Sequence, residues 1–259
     1  MPRILAGAAV AIAAAVAVPS VAHGATIYQD GHRQRILFQD EAGETNLVSV
    51  EGSRSVVIQD ANLPITVSRV RNCKRLDTHT VRCVRVRHLD LDLGDGPDVA
   101  HIASPLDIDL EGGHGRDRYV AGATDTPSRV DFSGGIGLDT ANYFFSTAGV
   151  HVSVDLAADD GRAGDADRIG DDVEAIIGSE FADVLAGSRY TLQLTGGDGD
   201  DRITGGSGEE ILAGGSGNDR IDARDGVPDT VDCGGQLLDW AAVDLAADAS
   251  ITGCAEVTS

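Results

Sequence analysis

Residues 196–222 constrain the fold of this chain more than any other stretch. They read GGDGDDRIT, GGSGEEILA, GGSGNDRID, three nonapeptides in tandem with no gap between them. Each has the form Gly-Gly-x-Gly-x-Asp-x-U-x, where U is a large aliphatic (Ile203, Leu212, Ile221) and Glu210 is the one departure from Asp. The glycines allow a tight turn through positive φ with no β-carbon in the way. The last three residues make a minimal strand with a single side chain, U, to offer a core. One such unit buries almost nothing alone, so neighbours must stack.

The frame extends backwards. Residues 187–195 keep Leu194 at U but place Leu192 at the Asp position, and residues 178–186 keep Asp183 and Leu185. Five nonapeptides therefore run in register over 178–222. This pattern resembles the haemolysin-type (RTX) calcium-binding repeat. The resemblance implies an all-β fold, a parallel β-roll in which each repeat is half a coil. It also implies Ca²⁺ between turns stacked on one edge, held by carboxylate and carbonyl oxygens that suit a hard cation. Alternate repeats share an edge, so Asp183, Asp201 and Asp219 fall on one and Leu192 and Glu210 on the other. The expectation is one calcium-loaded edge and one largely dry edge, with the best site between Asp201 and Asp219. The implied ligands are those three aspartates with the turn carbonyls of Gly197, Gly199, Gly215 and Gly217. Asp198 and Asp200 add charge nearby.

Other readings of the glycines fare worse. A flexible linker has no reason to place an aliphatic at every ninth residue. A phosphate-cradling loop is excluded, because no Gly-Lys-Ser/Thr is present and carboxylates facing the loop repel phosphate. A metal-free β-solenoid is the remaining alternative.

Charge supports a bound cation. The formal net charge is −22, but residues 1–89 hold 11 basic and 7 acidic side chains while residues 90–259 hold 9 and 35. Such a self-repelling segment stays open unless cations neutralise it, which couples folding to calcium. Nucleic acid is not an expected partner, since the sequence shows no basic stripe. Met1-Pro-Arg3, an Ala/Val-rich run over 4–18 and the small residues to Gly24 read as a secretory signal peptide, placing the protein outside the cell or on its surface. No other stretch is long or apolar enough to cross a bilayer. Four cysteines in an exported chain suggest two disulfides; three pairings are open, and the nearest-neighbour one, Cys73–Cys83 with Cys233–Cys254, is favoured.

In chain order, 25–92 alternates as β-strands without the nine-residue period and reads as a β-rich N-terminal cap. Residues 93–177 hold degenerate repeats. LGDGPDVA keeps Asp98, GGHGRDRYV keeps Asp117 with Tyr119 at U, and GGIGLDTAN keeps Asp139 with only Ala141 at U; these three aspartates, with Asp198 and Asp239, are further candidate calcium ligands. The segment 121–133 breaks the frame, which argues against direct stacking of the latter two. Residues 142–145 and 150–156 read as longer strands, and 159–167 as a Gly/Asp loop. The roll proper spans 178–242, ending on GGQLLDWAA with Asp239, and 243–259 reads as a C-terminal cap pinned by Cys254.

No catalytic constellation is visible. Gly-x-Ser-x-Gly and His-Glu-x-x-His are absent, and the seven histidines (His23, His32, His79, His88, His101, His114, His151) are scattered. The leading expectation is an exported calcium-binding repeat protein, not an enzyme. The alternatives are a surface adhesion or matrix protein whose 25–92 cap binds a protein or glycan partner, and a glycan-modifying solenoid enzyme.

Overall fold

The computed structural model describes residues 24–29, 35–40, 43–68, 70–124, 127–155, 157–244, 246–248 and 250–259. The candidate signal peptide lies outside these up to residue 23, as do His32 and Leu156. Among the described residues every regular element is a β-strand.

The chain winds between one long sheet and two short ones. The long sheet has 12 strands, from Cys73–Arg75 at one end through Leu47–Glu51 and Val99–Ala103 to Ser250–Thr252 at the other. From Leu47–Glu51 onward through Ser250–Thr252, neighbours pair in parallel. A 7-stranded N-terminal sheet includes His88–Asp92, Asp107–Gly115 and Arg129–Gly137, and a 7-stranded C-terminal sheet includes Val184–Ala186, Arg202–Thr204, Arg220–Ala223 and Trp240–Val243. This is a parallel β-roll.

The aliphatic at U explains the stacking. Leu185, Ile203, Ile221 and Ala241 pair in register along the C-terminal sheet, and Ile176, Leu194, Leu212 and Val231 along the long sheet. All are at most 1 % exposed. Each large aliphatic removed from water in this way contributes about 1.5–3 kcal/mol, and none has a partner until the next coil is laid down.

Three expectations are corrected. The repeats at 112–120 and 134–142 do stack directly: Gly113 pairs with Gly135 and Gly115 with Gly137. The frame break lengthens that coil to 22 residues (Ile108 to Val130) against 18 (Leu194 to Leu212), and the extra length loops out without shifting register. The strand over 142–145 stops at Asn142, whose Oδ1 accepts the Phe144 N–H at 2.9 Å. That local turn ends the ladder and leaves Phe144 and Phe145 exposed. The Gly/Asp loop at 159–167 is a junction in which the chain returns once to the N-terminal sheet through Arg168–Ile169. Two carboxylates are buried there. Asp160 accepts the N–H groups of Ser153 (2.7 Å) and Ile169 (2.8 Å), and Asp167 accepts that of Val130 (2.8 Å). The small Ala141 is compensated by Tyr119 and Tyr143, whose rings meet edge-to-face with centroids 5.8 Å apart.

Both ends are closed by variation on the same sheets. In the N-terminal region the strands Thr26–Tyr28, Ser55–Asp60, Cys73–Arg75 and Thr80–Val84 make antiparallel pairs, and Cys73–Cys83 joins the last two. At the other end Ser250–Thr252 and Glu256–Thr258 add a final parallel coil, tied back by Cys233–Cys254.

Candidate metal centre

Two columns of carboxylates run along the roll, one at each edge of the long sheet. Each carboxylate sits at the last position of a turn and accepts a hydrogen bond from the backbone of the preceding coil. On the edge leading into the C-terminal sheet, Val150 N–H donates to Asp183 Oδ1 (2.7 Å), Asp183 to Asp201 (2.8 Å), Asp201 to Asp219 (2.9 Å) and Asp219 to Asp239 (3.0 Å). Alternate repeats share this edge, as the nonapeptide phase implies.

The glycines are required by what surrounds them. A β-carbon on Gly196 would overlap Asp201 Oδ2, and one on Gly215 (φ 112°) would overlap the carbonyl oxygen of Gly197 in the turn beneath. The carbonyls of Gly197 and Gly199 thus face the neighbouring turn beside the aspartates. Asp198 and Asp200 are exposed; Asp200 Oδ1 accepts the backbone N–H and side-chain amide of Asn218 at 2.8 and 3.1 Å.

The opposite edge is far more acidic than Leu192 and Glu210 suggest. On it Asp98 N–H donates to Asp117 (2.9 Å), Asp117 to Asp139 (2.7 Å) and Asp139 to Glu174 (2.7 Å). After Leu192, which is half exposed, the column resumes as Glu210 N–H to Asp229 (2.9 Å) and Asp229 N–H to Asp248 (3.1 Å). Ligand atoms of Glu210, Asp225 and Asp229 lie within 4.8 Å of one another. A largely dry edge is therefore not what the fold builds. Glu174 escaped the sequence reading because its turn lacks the glycines. Asp225 and Asp229 escaped because one extra residue shifts their repeat; their Asp-Gly-x-x-Asp spacing was the available signal.

The second carboxylate oxygen distinguishes the positions. Oδ2 of Asp98, Asp117, Asp139, Asp201, Asp219 and Asp229, and Oε2 of Glu210, are buried without a hydrogen-bond partner among the described residues. An unpaired buried oxygen costs about 1–3 kcal/mol, more when charged. Burial accordingly pushes Asp98, Asp201 and Glu210 up to about 7 and Asp139 and Asp219 up to about 6, and raises Asp117 and Asp229. By contrast, Asp183 is satisfied by Ser179 N–H (2.5 Å) and Ser179 Oγ (2.8 Å), and Asp239 by Gln236 N–H (2.6 Å). Stacked anionic oxygens with inward-facing carbonyls and no protein donor fit a hard divalent cation such as Ca²⁺. A further cluster, His88, Asp90 and Asp109, lies on the outer face of the N-terminal sheet, but Arg35 already supplies its positive charge through two 2.6 Å bonds to Asp90.

No curated protein matches the chain. A family model does: residues 193–226, which contain the complete repeats and the buried carboxylates Asp201, Glu210 and Asp219, match the RTX calcium-binding nonapeptide repeat (4 copies). The chain thus carries, over residues 193–226, a block that matches the RTX calcium-binding repeat and is folded as part of the β-roll.

Proposed function

We propose that Ca²⁺ held between stacked turns drives the folding and rigidity of this protein after export. The observation that carries the reading is the set of seven buried, unpartnered carboxylate oxygens arranged in two columns. In the absence of cations these oxygens oppose the fold; with them they cross-link successive coils. Residues Asp201 and Asp219 form the central site, with carbonyls of Gly197 and Gly199, and Asp98, Asp117, Asp139, Glu210, Asp225 and Asp229 supply the other edge. Affinity on the order of 10⁻⁴–10⁻³ M matches an extracellular module, which keeps the chain loose inside the cell and rigid outside it. The leader-like N-terminus and two disulfides support that location. The reading assigns the chain a binding role and no reaction.

Far-ultraviolet circular dichroism of the mature protein, titrated with Ca²⁺ after chelation, tests this. A β-signal that grows and saturates near millimolar Ca²⁺, with a weaker response to Mg²⁺, is expected. A spectrum that is already β-rich and unmoved by chelator would sink the reading in favour of a metal-independent solenoid.

A further inference from the structure

The N-terminal region carries a surface that the calcium columns do not use. Between residues 52 and 89, seven basic side chains are exposed, namely Arg54, Arg71, Lys74, Arg75, Arg82, Arg85 and Arg87. Against them stand only two acids in that stretch, exposed Asp77 and buried Asp60. None of the seven forms an ion pair among the described residues, on a chain of net charge −22. Arg35, Arg129 and Arg224 pair with carboxylates, whereas exposed Arg118, Arg202 and Arg220 on the roll are isolated from one another in the sequence and do not, among the described residues.

The fold gathers them. Lys74 lies directly across from Arg82 on the paired strands Cys73–Arg75 and Thr80–Val84. Ser55 faces Val84 and Cys73 faces Cys83, so Arg54, Arg71 and Arg85 meet at one end of three adjacent strands. Cys73–Cys83 locks that end. Arg85 is held at φ 59°, the one positive-φ residue besides glycine among those described. Such a conformation costs energy in an arginine and is kept where its surroundings enforce it.

Chemistry narrows the partner. There is no Phe, Tyr or Trp between Phe38 and Tyr119. The surface therefore has no platform for stacking bases or neutral sugars and no aromatic anchor for a membrane interface. The acidic roll of a second copy of the chain is a competing occupant, and self-association on sizing at the binding concentration would overturn the assignment of a polysaccharide. What remains is recognition of closely repeated anions by guanidinium forks, which pair bidentately with carboxylates and sulfates. We propose that the face formed by Arg54, Arg71, Lys74, Arg82 and Arg85, flanked by Arg75 and Arg87, binds an anionic polysaccharide.

The test uses the full calcium-loaded chain against immobilised heparin (sulfated) and polygalacturonate (carboxylated) at about 50 mM salt. Binding to at least one, falling steeply with salt, is expected; which one binds identifies the anion. K74Q/R75Q/R82Q should weaken it about tenfold or more and flatten its salt dependence by roughly 2–3 units of log K per log salt. R54Q/R71Q/R85Q, at the turns rather than in the strands, should do the same and guards against misfolding of the first variant. R118Q/R202Q/R220Q removes equal charge from the roll and should change binding by less than about twofold. The proposal fails if both patch variants bind like the parent or if neither glycan binds. It also fails if anionic vesicles or duplex DNA bind more tightly than both glycans.

Discussion

The substitution Asp201→Asn separates the two duties of a column carboxylate. Asp201 Oδ1 accepts the Asp183 N–H at 2.8 Å, a bond that an amide oxygen can make equally well. Its Oδ2 is buried and unpaired, and burial lifts the carboxyl from 3.8 to about 7. That shift corresponds to roughly 2–4 kcal/mol of opposition to folding near neutral pH after allowance for screening in a partly open turn. Asparagine removes this opposition, so without Ca²⁺ the variant should gain stability of that order, roughly 4–16 °C in Tm for a chain of this size. With Ca²⁺ the gain shrinks. A site with Kd of 10⁻⁴–10⁻³ M, at about 10 mM Ca²⁺, contributes roughly 1.4–2.7 kcal/mol, and Asp201 shares one such site, with Asp219. Plots of Tm against log Ca²⁺ for parent and variant should therefore converge as Ca²⁺ rises, the variant's slope being shallower. Parallel plots, with Asp201→Asn below the parent at every calcium concentration, would refute the reasoning and leave Asp201 a purely structural acceptor.

Other outcomes follow from the same geometry. Because burial raises the folded-state pKa of Asp98, Asp201 and Glu210 to about 7 and of Asp139 and Asp219 to about 6, the calcium-free native state binds more protons than the unfolded chain over that range. Its stability should fall as pH rises from about 4 to about 7. Calcium competes with those protons, so its apparent affinity should rise over roughly pH 5.5–7.5; titration calorimetry at several pH values checks this, and a flat profile contradicts it. Gly215→Ala forces a β-carbon against the Gly197 carbonyl at φ 112° and should cost roughly 3 kcal/mol or more. Urea denaturation in saturating Ca²⁺ measures it, and a change under about 0.5 kcal/mol would mean the turns do not stack so closely. Reduction of Cys233–Cys254, which spans 21 residues, should release about 3 kcal/mol from the last coil. Hydrogen exchange should then quicken over 250–258 and stay slow at Ile203 and Leu212; uniform quickening would show that the coil is not a local unit.

The period was legible because it is a packing rule. An aliphatic at every U position has one place to go, and Gly-Gly-x-Gly is demanded by the carboxylate and carbonyl oxygens that occupy the space of the missing β-carbons. Hence the roll, its edge assignment for Asp183, Asp201 and Asp219, and the strands of 25–92 could be read without coordinates. What failed was inference from chain length. Register in a parallel sheet is set by backbone pairing and the buried side chain, so a coil tolerates four extra residues between Ile108 and Val130 with the next turn still in place. The junction carboxylates Asp160 and Asp167 were invisible for a different reason. Their partners are backbone N–H groups of Ser153, Ile169 and Val130, and no local spacing encodes those.

The ends of the columns show why charge is retained in the middle. Asn46 occupies the first position on one edge: its N–H donates to Asp98 Oδ1 at 2.5 Å, and its side-chain amide donates to Asp40 Oδ2 and the Leu93 carbonyl at 3.0 Å each. As the first residue of the column it accepts no ladder bond, and its own Oδ1 is buried without a partner among the described residues. Asp183 and Asp239, flanking the central pair, draw their donors from Ser179 and Gln236. Protein donors to neutralise or replace a column carboxylate are therefore available to this fold and are used. Asp201 and Asp219 nonetheless keep a bare, buried oxygen inside the most regular repeats of the chain, at a cost to the cation-free fold. A cation shared by those two oxygens would remove that cost, which is why the proposed site is centred on Asp201 and Asp219.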